Sequence, residues 1–146
     1  MQFFKDVVEI VAKYYPNLLR GVGYTMLIAL TGTVAGLLIG LATGVLRTTP
    51  LSKNGFVRVL QKILNAVIAV YVEIFRGTPM MVQAMVIYWG YAFASGGSTL
   101  PLIPSGILIV SVNTGAYMAE IVRGGIISID KGQFEGASSI GMSHWQ

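Results

Sequence analysis

The chain has 146 residues, of which 54% are hydrophobic and only 11% charged, with a net charge of +4 and a mean hydropathy of +0.70. A soluble domain is nearer a quarter charged, so this composition excludes one and specifies an integral membrane protein. The basic excess belongs at membrane boundaries under the positive-inside rule, not on nucleic acid, and the absence of cysteine excludes disulfides and thiolate chemistry.

Residues 1–20 form an amphipathic segment. Phe3, Phe4, Val7, Val8, Ile10 and Val11 alternate with Lys5, Asp6, Glu9 and Lys13 at roughly helical spacing. The spacing predicts an interfacial helix lying on the membrane, broken at Tyr14-Tyr15-Pro16, with the tyrosines at headgroup level. Residues 21–46 carry no charge, and a hydrocarbon core takes about 20 apolar helical residues to span, so this is the first expected span. It is not a signal peptide, because about twenty residues with both acids and bases precede it and no small-residue cleavage site closes it. Gly32, Gly36, Gly40 and Gly44 recur every four residues within it. That stripe lies on one helical face and predicts a seam where a second helix approaches closely.

A short polar loop follows, with Pro50, Ser52, Lys53 and Asn54, and Arg47, Lys53, Arg58 and Lys62 cluster around it. The positive-inside rule makes this loop cytoplasmic and the N-terminus extracytoplasmic. The tail beyond Glu120 carries Arg123 and Lys131 and is expected on the same side. An even number of crossings must then separate them. Segments 80–94 and 102–120 supply two, so 56–75 is expected to run along or partway into the cytoplasmic side and to bend at Gly77-Thr78-Pro79. An unbroken helix over 56–94 would be about 58 Å long, and Pro79 removes a backbone donor where a break is needed. Three spans result.

Ionisable groups inside membrane segments are costly and tend to be functional. Glu73 with Arg76, and Glu120 with Arg123, are both spaced i, i+3, so each pair can neutralise itself on one helix face. Asn113, Tyr117 and Glu120 share a face of the last span. Glu73, Arg76, Met80 and Gln83 share a face if the break at Pro79 preserves register. Such polar faces either line a path for a polar solute or bond one helix to another. No catalytic constellation, metal-ligand cluster or phosphate-binding loop is present in the sequence, so the chain is not expected to bind or hydrolyse ATP. His144 stands alone and reads as a surface histidine.

Three blocks carry a family resemblance. The first is Glu73-Ile-Phe-Arg-Gly-Thr-Pro79 followed by Met-Met-Val-Gln83. The second is Ala116-Tyr-Met-Ala-Glu-Ile-Val-Arg-Gly-Gly-Ile126. The third runs from Ser128 through Glu135-Gly136-Ala137 and Gly141 to Ser143. In this order and spacing they resemble the permease subunits of polar amino acid ABC importers, the histidine, glutamine, glutamate, arginine and cystine group with the type I importer fold. The resemblance covers most of residues 20–146. It implies an all-α integral membrane protein with an N-terminal interfacial helix and three spans of the permease bundle. Segment 1–20 would be an amphipathic extension. Residues 21–146 would be a transmembrane type-1 domain ending in an ATPase-coupling loop over 128–146, with the family's last two spans absent, about the N-terminal three-fifths of a permease.

The resemblance further implies a bacterial cytoplasmic (inner) membrane location, multi-pass, and no cofactor of the chain's own. The implied partners are a separate ABC ATPase subunit, a second permease subunit, an extracytoplasmic solute-binding protein and the bilayer, with no nucleic acid. Glu120, Tyr117, Asn113, Gln83, Glu73 and Arg76 are the expected pathway residues. Gln133, Glu135, Gly136, Ala137 and Gly141 are the expected ATPase-coupling residues, on a short helix over about 133–141, with Glu135 at its start. The family loop reads Glu-Ala-Ala, and Gly136 replaces the first alanine, weakening the loop helix by roughly 1 kcal/mol. A non-transporting membrane subunit or scaffold would share the spans, with the terminal motif a plain interfacial helix. Genes for an ATPase and a secreted binding protein alongside would discriminate the two.

Overall fold

In the computed structural model, residues 2–143 and 146 are described, and every regular element among them is helical: α1 (Gln2–Thr48), α2 (Gly55–Gly77), α3 (Met80–Ala94), α4 (Leu102–Ile127) and α5 (Lys131–Ser139). His144 lies outside the described residues.

The break expected at Tyr14-Tyr15-Pro16 does not form. Helix α1 passes through Pro16 and runs for 47 residues, about 70 Å at 1.5 Å per residue. Ending one helix and restarting another would leave four unpaired backbone groups at each new terminus. Continuing through proline forfeits only the bond to the carbonyl four residues back. With long helical runs on both sides, continuation is the cheaper arrangement.

The glycine stripe is the seam of the fold. Gly32, Gly36, Gly40 and Gly44 are the buried residues of α1, and α1 packs more extensively on α4 than any other two helices pack on each other. A Cβ placed on Gly32 would lie 2.7 Å from Val110, one on Gly36 2.6 Å from Thr114, and one on Gly44 2.8 Å from Val122, while one on Gly40 would collide with Met118. Each step of four along α1 matches a step of four along α4 in the same direction, so the two helices run parallel. Gly115 answers from the α4 side, where an added Cβ would meet Ile39 at 2.8 Å and the Tyr71 hydroxyl at 2.9 Å.

Parallel α1 and α4 place the loop after α1 and the loop after α4 at the same end of the molecule, as the parity of charge suggested. The return is made by α2 and α3 together. Tyr71 and Phe75 of α2 lie beside Val112 and Asn113 of α4, and Ala69, Arg76 and Gly77 border one cleft with Glu120. Three helices are long and apolar enough to cross a membrane, but they are not the three expected: α1, α2 and α4 qualify, while α3 has only 15 residues. At about 22 Å, α3 falls short of a hydrocarbon core about 30 Å thick. The 23-residue α2 has the length of a span, but it ends at Gly77 beside the cleft that holds Arg47 and Glu120, so α3 continues the return.

The bend falls where proline requires it. Thr78 and Pro79 are extended, with φ −125° and ψ 144° at Thr78, and separate α2 from α3. At the start of α2, Asn54 caps the helix by accepting from the Phe56 N–H. Gln61 Oε1 accepts from the Ser52 N–H at 2.7 Å, tying the loop down onto α2.

Candidate functional site

At the end of the bundle where α1 finishes, a cleft of ≈ 400 Å³ is lined by Arg47 of α1, Ala69, Val72, Glu73, Arg76 and Gly77 of α2, and Glu120 of α4. Glu120 is its centre of charge. One carboxylate oxygen accepts from Arg47 Nη1 at 3.0 Å, and the other accepts from Arg123 Nε at 2.8 Å and from Arg123 Nη2. The Glu120–Arg123 pair follows from the i, i+3 spacing. The Arg47 bond does not, because it joins residues 73 apart in sequence.

The companion pair anticipated between Glu73 and Arg76 is not formed: among the described residues the ion pairs are those of Glu120 alone. Arg76 instead lies over the Tyr117 ring, 5.7 Å from its centroid, within the range of a cation–π interaction. The ring on α4 is at hand where the two helices meet, whereas the Glu73 side chain is exposed, and an exposed pair one turn apart gains little. Glu73 and Arg76 therefore border the same cleft without closing on each other.

Asn113, Tyr117 and Glu120 share the α4 face that meets α2, as their spacing requires. They do three different things there. Asn113 donates to Gln83 Oε1 at 3.0 Å, Tyr117 carries Arg76, and Glu120 joins the arginines. Gln83 is buried, 7% exposed, with its amide engaged at the α2–α3 joint, so it does not stand in the cleft. Met80 does not line the cleft either, because the extended residues at the break reset the helical register. Tyr71 and Arg47 were missed in the sequence. The Tyr71 hydroxyl donates to the Val112 carbonyl at 2.6 Å, a bond whose only sequence signal is a tyrosine within an apolar run. Arg47 read as one of four bases around a loop.

The second candidate surface is the terminal loop. Its helix, α5, begins at Lys131, two residues before the expected start. Its N-cap is Asp130, whose carboxylate accepts from the Gly132 N–H at 2.7 Å. The acid favoured by the helix dipole is thus Asp130, and Glu135 lies mid-helix, exposed. Aspartate is among the residues favoured at an N-cap, because its side-chain oxygen accepts from a first-turn N–H. Gly136 is inside the helix with open space around it.

Gly141 ends the helix, with φ +81°; its N–H donates to the Ser138 carbonyl at 3.1 Å and the Met142 N–H donates to the Ala137 carbonyl at 3.1 Å. That pair of bonds is a Schellman cap, which favours glycine in the left-handed position. A valine at Gly141 would be strained by its own backbone, though nothing else lies within 4 Å. A shallow depression of ≈ 360 Å³ lies along α5, lined by Gln133, Phe134, Ala137, Ser138 and Met142 among others.

Parallel long helices on a glycine seam, a return broken at proline and a capped polar helix beyond the last long helix define a polytopic helical membrane protein. The chain belongs to the family of binding-protein-dependent transport system inner membrane components, which it matches over residues 55–146. It is similar to the glutamine transport system permease protein GlnP of Escherichia coli strain K12, with 36% identity over 131 residues, 90% of this chain and 55% of that protein. It is 35% identical over 132 residues to the probable amino-acid ABC transporter permease protein YckA of Bacillus subtilis, covering 90% of this chain and 53% of YckA. The L-cystine transport system permease protein TcyB of the same organism is 34% identical over 131 residues, 90% of this chain and 51% of TcyB. A crystal structure of an amino acid ABC transporter with histidines superimposes with a TM-score of 0.69 at 31% identity, covering 92% of this chain and 57% of that one. The chain thus spans about half the length of these relatives.

Proposed function

We propose that this chain is part of the membrane-spanning permease subunit of an ATP-driven importer of polar amino acids in a bacterial cytoplasmic membrane. The observation that carries this reading is the placement of α5. The seam between α1 and α4 brings the charged cleft and the exposed α5 to the same end of the bundle, so a protein docked on α5 can act on the helices that border the cleft. The similarity to GlnP and YckA over 90% of the chain supports amino acids as the solute class.

In this reading a second permease subunit completes the pathway, an extracytoplasmic protein delivers the solute, and a separate ATPase docks on α5 and hydrolyses ATP. Glu73, Arg76, Tyr117 and Glu120 border the solute's route at the cleft, and Gln133, Glu135, Gly136, Ala137 and Gly141 form or terminate the docking helix. The end bearing Arg47, Lys53, Arg58 and Lys62 faces the cytoplasm, α2 and α3 make a single return crossing, and the N-terminus is outside.

Two experiments test this. Cysteines introduced singly at Ser52 and Ser143 of this cysteine-free chain should both resist an impermeant thiol reagent applied to intact cells and both react in inverted membranes. Labelling of either from outside reverses the orientation. Glu135→Lys reverses an exposed charge that has no ion-pair partner among the described residues. It should lower solute uptake at least about tenfold, the effect of about 1.4 kcal/mol at a docking interface, with the chain's level in the membrane unchanged. Undiminished uptake would remove α5 from the coupling path.

A further inference from the structure

The joint between α2 and α3 contains a side chain acting in place of a backbone group. In an unbroken helix the Phe75 carbonyl would accept from the N–H of residue 79, four positions on. Residue 79 is proline and has none. The Gln83 Nε2 group occupies that role: it donates to the Phe75 carbonyl at 2.9 Å, to the Thr78 carbonyl at 2.8 Å and to Thr78 Oγ1 at 2.8 Å. Thr78 Oγ1 donates in turn to the Ile74 carbonyl at 2.7 Å, so the Phe75 carbonyl that Pro79 leaves without a backbone donor is bonded within a small side-chain network. With Nε2 turned to these oxygens, Gln83 Oε1 is left to accept, and Asn113 Nδ2 of α4 donates to it at 3.0 Å and reaches the Phe75 carbonyl at 3.4 Å. No buried side-chain nitrogen or oxygen is left without a partner among the described residues.

We propose that Gln83 is a positioning residue: its side-chain amide supplies the donor that Pro79 withholds from Phe75, and Asn113 orients that amide, so that together they set the bend between α2 and α3 and fix it to α4. Gly77 and Arg76, which border the charged cleft, are within one turn of this joint. The angle Gln83 sets therefore also sets where α2 ends beside the cleft. A lipid-facing helix break without such a donor would leave carbonyls unpaired where no water reaches them. The inference stands on the joint's own bonds and holds whatever solute the assembled transporter carries.

The test is a cycle on the full chain in membranes, with Gln83→Met, which keeps the side chain's length and removes its donors, and Pro79→Ala, which returns the backbone N–H. Nitroxide labels on cysteines at Val70 and Val86, both exposed, report the angle of the joint by their separation. Gln83→Met alone should broaden the distance distribution and reduce the folded chain in the membrane several-fold. In the Pro79→Ala background the same substitution should have little effect on abundance, because the backbone N–H restored at position 79 now serves Phe75. Asn113→Leu should broaden the distances only where Gln83 is present. If Gln83→Met lowers abundance equally in both backgrounds, Gln83 contributes packing and not a surrogate donor. Unchanged distances and abundance after Gln83→Met would equally overturn the proposal.

Discussion

Gly40→Leu is expected to separate α1 from α4 and to be the most damaging single substitution on the seam. A Cβ at Gly40 collides with Met118 and comes within 2.9 Å of the Ala119 backbone nitrogen and 3.0 Å of the Gly115 carbonyl. Two of these neighbours are backbone and cannot rotate away, so relief requires the helices to move apart. In lipid the helices have no hydrophobic drive to rejoin, and association rests on close van der Waals contact. That contact falls off steeply with separation. Overpacking of this kind costs about 3 kcal/mol, and Gly40→Ala should show the same effect at smaller size. The measurement is thermal unfolding in detergent together with the folded level in the membrane. Gly23→Leu, on the same helix with nothing within 4 Å, is the control and should be close to neutral. Equal tolerance at Gly40 and Gly23 would show that the seam is not closed in the membrane.

Glu120→Gln is expected to destabilise the chain by about 2 kcal/mol, below the ~3–5 kcal/mol for breaking a fully buried pair, because the Glu120 side chain is 23% exposed. The loss comes from what remains: Arg47 and Arg123 keep their charges at a half-buried site with no carboxylate between them. Arg47→Gln together with Glu120→Gln should cost less than the sum of the two single changes, by about 1 kcal/mol, because the residues are in contact. Strict additivity in chemical denaturation would mean that the Arg47–Glu120 bridge carries no energy. The same variant also separates two roles in the assembled transporter. With both carboxylate oxygens occupied by arginines, Glu120 acting as an anchor predicts uptake with reduced abundance and unchanged KM. A solute ammonium meeting Glu120 predicts a KM raised at least about tenfold, the worth of a 1.4 kcal/mol contact.

Features that depend on nearest neighbours in sequence were readable without coordinates. The uncharged run over 21–46, the glycines at every fourth position, the proline break at residue 79 and the i, i+3 spacing of Glu120 and Arg123 each follow from the 3.6-residue period and backbone chemistry of a helix. The side of the membrane shared by residues 49–54 and the tail followed from counting charges, and the parallel run of α1 and α4 agrees with it. Pro16 marks the limit of local reasoning. Proline lowers helix propensity at one residue, but whether the helix stops there depends on the cost of two new termini, and α1 continues.

Only the tertiary structure decided which polar groups meet. The sequence put Glu73 with Arg76 and left Arg47 in a loop cluster. Packing α1 against α4 brought Arg47 to Glu120 across 73 residues, and packing α2 against α4 gave Arg76 the Tyr117 ring. Gln83 and Asn113 could equally have lined a path or joined helices when read in sequence, and the joint at Pro79 engages both. Which faces are apolar and where the chain must bend are properties of segments, set by composition and period. Which donor finds which acceptor depends on the distance between backbones, here fixed by four glycines small enough to let two helices touch.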